Sequence, residues 1–139
     1  MKISQKTLEK LRNLINEETE YRSGPNLVKF FNEFGSHDIY GQGFPSRWVY
    51  TEEKLSAING TADLDKCIKK LFAPINFINR IDELDDFIKD FNQYLAFDKW
   101  QVVRDNDKIT FKKLDKIELK SSIKKEEINE ENFLKYDFA

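Results

Sequence analysis

Apolar side chains recur at helical spacing along the first two thirds of the chain and then switch to alternation. Leu8, Leu11 and Ile15 stand three and four residues apart, which predicts a helix capped by Ser4 and running to about Glu18. Ser23-Gly24-Pro25 opens a second helix, with Pro25 in the first turn, where its missing N–H costs nothing. Leu27, Phe30, Phe31 and Phe34 form its stripe, and Gly35 supplies a stop. Thr51 followed by Glu52 and Glu53 reads as the cap and acidic first turn of a short third helix, ended by Asn59-Gly60. Thr61 caps a fourth, with Leu64, Ile68, Leu71 and Phe72 in line and Pro74 as its terminator. The longest stripe is Ile81, Leu84, Ile88, Phe91 and Leu95. It predicts a helix over Ile81–Leu95 whose other side carries Asp82, Glu83, Asp85, Asp86 and Asp90.

From Trp100 the period falls to about two. Trp100-Gln-Val-Val-Arg104 and Lys108-Ile-Thr-Phe-Lys112 are rich in β-branched and aromatic residues, and Asp105-Asn106-Asp107 between them is turn chemistry. A two-residue turn at Asp105-Asn106 puts Trp100 and Val102 on the same face as Ile109 and Phe111. Ile117-Glu-Leu-Lys120 alternates weakly, as a short third strand would. After Ser121 a charged run through Lys124, Lys125, Glu126, Glu127, Glu130 and Glu131 reads as a solvated helix or linker. It leads to Phe133-Leu-Lys-Tyr-Asp-Phe138, whose aromatics need a surface to dock on.

The expected fold class is therefore α+β, a mostly helical bundle of about five helices followed by a C-terminal β-hairpin, winged-helix-like at most. Residues 1–120 make one compact domain, and 121–139 a tail leading to a second domain. In a winged helix, Ile81–Leu95 would be the recognition helix, but its acidic face would repel phosphates.

A chain of 139 residues is about one domain. With 35% charged residues the apolar share is modest, and 12 Phe, 5 Tyr and 2 Trp compensate because each buries a large area. The formal net charge of −2 points to neither nucleic acid nor membrane, leaving only local patches to consider. Cys67 is the single cysteine, so no internal disulfide forms, which fits a reducing cytoplasm. The amino terminus lacks the apolar core of a signal peptide, and no apolar run approaches the ~20 residues that span a bilayer. The expectation is a cytoplasmic protein.

Candidate chemistry is sparse. His37 is the sole histidine and sits in a Ser36-His-Asp38 turn with no nucleophile signature nearby. One His and one Cys cannot make a zinc tetrad, and the acidic run from Asp82 to Asp90 has the spacing of an exposed helix face. Cys67 falls on the buried stripe of the fourth helix, as a small core residue. No phosphate loop exists, since Gly41-Gln-Gly43 lacks a third glycine. The expectation is no catalytic residue, no metal and no cofactor, hence no enzyme.

Two stretches stand out as binding candidates. The first is the aromatic loop 41–50, Gly-Gln-Gly-Phe-Pro-Ser-Arg-Trp-Val-Tyr. In one reading Phe44, Trp48 and Tyr50 fold back on the 27–34 helix, while Arg47 pairs with a carboxylate or with loop carbonyls. In the other, Arg22, Arg47 and the Gly41 and Gly43 backbone bind an anionic ligand or partner, with Trp48 and Tyr50 contributing. The second stretch is basic, with Lys99, Arg104, Lys108, Lys112 and Lys113 near Trp100 and Phe111. That composition could track and stack a single-stranded nucleic acid, though Asp105, Asp107 and Asp115 dilute its field.

Several segments together resemble a bacterial family. Tyr21-Arg-Ser-Gly-Pro25, Leu27-Val-Lys-Phe-Phe31, the run from Gly41 to Trp48, and Leu55 through Thr61 carry the likeness. So do Leu64 to Pro74 and Phe91-Asn-Gln-Tyr-Leu-Ala-Phe-Asp98. They are similar to the amino-terminal module of abortive-infection proteins of the AbiJ-like phage-defence group, over about residues 3–120. The resemblance implies a sensing, regulatory or assembly role ahead of a carboxy-terminal effector domain often associated with RNA cleavage. Partners implied are that effector domain or a phage-derived trigger, with homo-oligomerisation open and nucleic acid the second choice. No catalytic residue is carried over, and no Arg-x₄–₆-His ribonuclease signature occurs in this sequence.

Overall fold

A computed structural model describes residues 1–115. The alternation at 117–120 and the tail 121–139 lie outside the described residues. Five α-helices precede a two-stranded antiparallel hairpin, an α+β arrangement. They are α1 (Gln5–Asn13), α2 (Gly24–Asn32), α3 (Arg47–Ile58), α4 (Ala62–Leu71) and α5 (Ile81–Leu95), followed by β1 (Trp100–Asp105) and β2 (Lys108–Lys113). α1 continues into a wider π-helical turn, Leu14–Glu18, and one-turn 3₁₀ segments precede and follow α5.

One apolar core joins these elements. Leu11, Leu14 and Ile15 meet Leu27 and Phe31 of α2, Leu55 of α3, Leu64 and Ile68 of α4, and Leu84 and Phe91 of α5. Val102 and Ile109 close it from the hairpin. Helical spacing in the sequence put these side chains on single faces, and burying them offsets the ordering entropy of the chain. Cys67 is fully buried in that core, and burial raises its thiol pKa, so it packs as a small hydrophobe.

Caps explain the helix limits. Ser23 Oγ accepts from the Asn26 N–H at 3.4 Å, and Thr61 Oγ1 from the Asp63 N–H at 3.2 Å. Gly35 and Gly60 take positive φ at the stops after α2 and α3, where a β-carbon would be strained. Ser4 holds the N-cap position of α1, but its hydroxyl faces Thr7 and Asp98 instead of a helix N–H.

Two expectations need correction. α3 starts at Arg47, four residues before the expected cap, because Ser46 Oγ accepts from the Val49 N–H at 3.2 Å. Residues Arg47 to Tyr50 are therefore helical, and Thr51 lies buried inside the helix, donating to Asn16 Oδ1 at 2.6 Å. The hairpin turn also moves by one residue, since Asp105 pairs with Lys108 and leaves Asn106-Asp107 as the loop, with Asn106 at φ 56°. Moving both turn residues by one shifts each cross-strand partner by two. Trp100, Val102, Ile109 and Phe111 therefore still share the core face.

Three asparagines anchor the segments that are not helical. Each uses its side-chain amide as a second backbone, donating to one residue's C=O and accepting from that residue's N–H. Asn32 at the end of α2 holds Asp38 at 3.0 Å both ways, and Asn59 at the end of α3 holds Ile3 at 2.9 Å both ways. Asn92 in α5 holds Val102 of β1 at 2.9 and 2.8 Å. The amino-terminal stretch, the 36–46 loop and the hairpin are each tied to a helix in this way.

Candidate recognition surface

The wide turn Leu14–Glu18 leaves backbone carbonyls that ordinary α-helical bonding does not reach. Thr19 N–H and hydroxyl both return to Leu14 O. Two arginines meet the others. Arg22 Nη1 donates to Ile15 O at 2.8 Å and to Thr19 Oγ1 at 3.1 Å, and its Nη2 reaches Glu20 at 3.2 Å. Arg47, in the first residue of α3, donates from Nε to Arg22 O at 2.8 Å and from Nη2 to Asn16 O at 2.7 Å. Its Nη1 pairs with Glu17 at 2.8 Å. A cation at a helix start opposes the helix dipole, but here the guanidinium turns onto the carbonyl end of the wide turn that extends α1, where the dipole favours it.

Both guanidiniums are thus spent inside the fold. Arg22 is only 9% exposed, and its pKa is lowered, first by burial, against the raising influence of Glu20. It remains charged nonetheless. Of the loop candidates, the structure brings Arg22 and Arg47 together, but not with Gly41 or Gly43. Those glycines line an open hollow of about 290 Å³ with Asp38, Tyr50 and Lys54, and neither arginine lines it. The reading that joins the arginines to the glycine backbone is not assembled, and Arg47 instead meets a carboxylate and backbone carbonyls, as in the other reading.

The outward side of Arg47 builds something else. Its guanidinium carbon lies 4.2 Å from the centroid of Tyr21 and 5.9 Å from that of Trp48, whose ring has Arg12 at 5.3 Å on it. Glu17 holds Arg47 and Glu52 holds Arg12, so the stack Tyr21–Arg47–Trp48–Arg12 has both cations fixed. Tyr21 is 62% and Trp48 38% exposed, with Val49 exposed beside them. Trp48 therefore does not complete the core. Phe44 and Tyr50 do, through Phe44–Tyr50 at 4.7 Å and Tyr50–Phe31 at 6.0 Å. Each exposed cation–π contact is worth about 0.5–1 kcal/mol, which biases the rings toward the stacked arrangement in the free protein.

The hollow next to it is polar. Asp38 accepts from the Tyr50 hydroxyl at 2.8 Å and from Lys54 Nζ at 2.6 Å. Those bonds hold the Asp38 carboxyl below its usual range, while burial, reinforced by Asp38, pushes the Tyr50 phenol up. Since the folded carboxyl ionises at lower pH than it does in the unfolded chain, its contribution is full above pH ~4. That contribution disappears as pH falls through the folded value. Asp38→Asn is expected to flatten the acid limb of a stability-versus-pH curve measured by urea unfolding. An unchanged acid limb would mean that this cluster does not anchor the loop.

His37 is exposed. Among the described residues no group of three or more His, Cys, Asp or Glu is arranged to hold a metal ion. The basic hairpin residues do not form one patch. Arg104 is held by Asp85 through two bonds of 2.7 and 2.9 Å, and Lys113 lies 5.9 Å from the Trp100 ring centroid on the core-facing side. Lys108 and Lys112 alternate onto the opposite face, and Lys99 belongs to the turn before β1. Strand alternation and the acidic face of α5 split what composition had grouped.

The chain matches no protein-family model, no curated protein and no solved structure. No helix among the described residues is long and apolar enough to cross a membrane.

Sequence reasoning missed Arg12, Tyr21 and Glu17 as members of this surface, and Asn16 as the buried residue whose carbonyl anchors Arg47. Arg12 and Trp48 meet only because α3 begins at Arg47. A Ser46 cap after Pro45 was the available signal.

Proposed function

We propose that this chain is a non-catalytic recognition module that regulates an effector domain in bacterial phage defence through the Tyr21–Arg47–Trp48–Arg12 surface. The observation that carries this reading is a fixed, partly exposed stack of two aromatics and two arginines outside the core. Trp, Tyr and Arg dominate binding hot spots, and a surface already ordered in the free protein avoids part of the entropy cost of association. Their charges are locally neutralised by Glu17 and Glu52, which suits a protein partner more than a polyanion. The phage-defence setting and the effector partner rest on the abortive-infection resemblance, whose residues Tyr21, Arg22 and the 41–48 run flank this surface.

The test pairs Tyr21→Ala with Trp48→Ala, which leave the Arg47 ties to backbone intact. Under phage challenge of cells carrying the native locus, the double variant is expected to lose protection and to lose co-purification with the effector domain encoded there. Its thermal unfolding midpoint should stay within a few degrees of the parent. A folded double variant that still protects and still co-purifies would remove this surface from the function.

A further inference from the structure

A second surface lies at the opposite end of α1. Ser4, Lys6 and Thr7 at the start of that helix face Gln93 and Tyr94 at the end of α5, and Phe97 in the turn that follows. Together they line a groove of about 470 Å³ whose walls are mostly apolar, within the size range of ligand-binding clefts. Thr7 Oγ1 donates to Tyr94 O at 3.3 Å and joins the two walls. Phe97 is 69% and Tyr94 39% exposed, so the groove presents two aromatic side chains to solvent.

The described chain leaves from the same place. Leu114 donates its N–H to Lys99 O at 2.8 Å, two residues from Phe97. Beyond it come about 17 residues, 116–132, of charged sequence, then Phe133-Leu-Lys-Tyr-Asp-Phe138. Seventeen residues can reach at most about 55–60 Å, which is long enough for the aromatic segment to return to a groove beside its own point of departure. Lys6 lines the groove, and Glu130, Glu131 and Asp137 accompany the aromatics.

We propose that this groove is an intramolecular docking site for residues 133–138, with Phe97 stacking against the incoming aromatic side chains. The docked segment would fix where anything carried after it is placed relative to the module. This is independent of the Trp48 surface, which lies on other residues.

Paramagnetic labelling of the full chain tests the proposal. Asp137→Cys accepts a nitroxide, while native Cys67 is fully buried and does not react. In ¹⁵N-labelled protein the amide signals of Thr7, Gln93, Tyr94 and Phe97 are expected to lose more than half their intensity relative to the reduced label. Phe97→Ser, at a side chain already mostly in solvent, should restore most of that intensity without unfolding the domain. Broadening centred elsewhere, for example on exposed Ile75 and Ile78, would overturn the proposal, as would no localised broadening at all. In a mixture of ¹⁵N chain without label and ¹⁴N chain with label, groove broadening would assign the site to a second copy and would equally overturn it. No transfer in that mixture, with broadening in the singly labelled chain, supports docking in cis.

Discussion

Arg47→Ala is expected to cost about 3 kcal/mol of unfolding free energy, a large loss for an arginine that is not fully buried. The magnitude comes from two charge-assisted bonds to backbone carbonyls, Arg22 O at 2.8 Å and Asn16 O at 2.7 Å, each worth about 1.5 kcal/mol or more. The Glu17 ion pair adds little, because exposed pairs contribute about 0–1 kcal/mol. Glu17→Gln should therefore cost less than about 1 kcal/mol. Arg47→Lys should recover less than half of the alanine loss, since one ammonium cannot span acceptors set in a planar fork. Urea unfolding of the three variants checks the order. An Arg47→Ala loss below about 1 kcal/mol would show that the wide turn is held by the core alone.

That prediction also affects function tests. An arginine on a candidate surface is usually replaced first when binding is sought. Here its replacement would loosen α1, the 19–23 connection and α3 together, and a lost interaction would report unfolding. Tyr21 and Trp48 contact the outer side of the same guanidinium without holding any backbone group, so they separate the two effects.

The sequence pattern read some parts of this molecule well for a physical reason. Ile81–Leu95 is legible to the residue because its apolar stripe is long and its other face is wholly polar and mostly acidic, so period and composition agree. The core face of the hairpin survived a misplaced turn because faces depend only on parity. α3 was misread at its start because Trp48, Val49 and Tyr50 are weak helix formers beside two glycines and a proline, and local propensity outweighed the Ser46 cap. Of the two readings of Arg47, pairing with a carboxylate and backbone carbonyls is the one observed, but which carbonyls it meets was not legible. Guanidiniums that bond distant carbonyls leave no local signal, and the wide turn that exposes those carbonyls has no sequence signature. The asparagine ties were invisible likewise. Asn59 was legible only as a helix stop, and nothing in the spacing of Asn92 and Val102 announces that they pair.

Asn92 gives the second large effect expected. Both hydrogen-bonding groups of Val102 end on its side chain, so this residue joins β1 to α5 where the strand would otherwise present an open edge. Asn92→Ala strips a buried N–H and a buried C=O of their partners at once. At about 1–3 kcal/mol for each unpaired group the expected loss is about 2–4 kcal/mol, with water entry as partial relief. The Arg104–Asp85 pair on the surface cannot replace it, since exposed pairs hold little.

Asn92→Asp makes the sharper test, because only one of its two oxygens has a donor to face. The other points at the Val102 carbonyl, and in a site that is 9% exposed the ionised form is disfavoured, which raises the folded pKa above ~4. The variant should therefore regain stability as pH falls through that raised value, since a protonated carboxyl can donate to Val102 O. This is opposite in sign to the Asp38 contribution, which is lost on acidification. Hydrogen exchange at the Val102 amide reads the tie directly, and its protection should drop at least tenfold in Asn92→Ala. If that amide stays protected while stability falls by less than about 1 kcal/mol, the hairpin is held by the packing of Val102 and Ile109, and the asparagine is incidental.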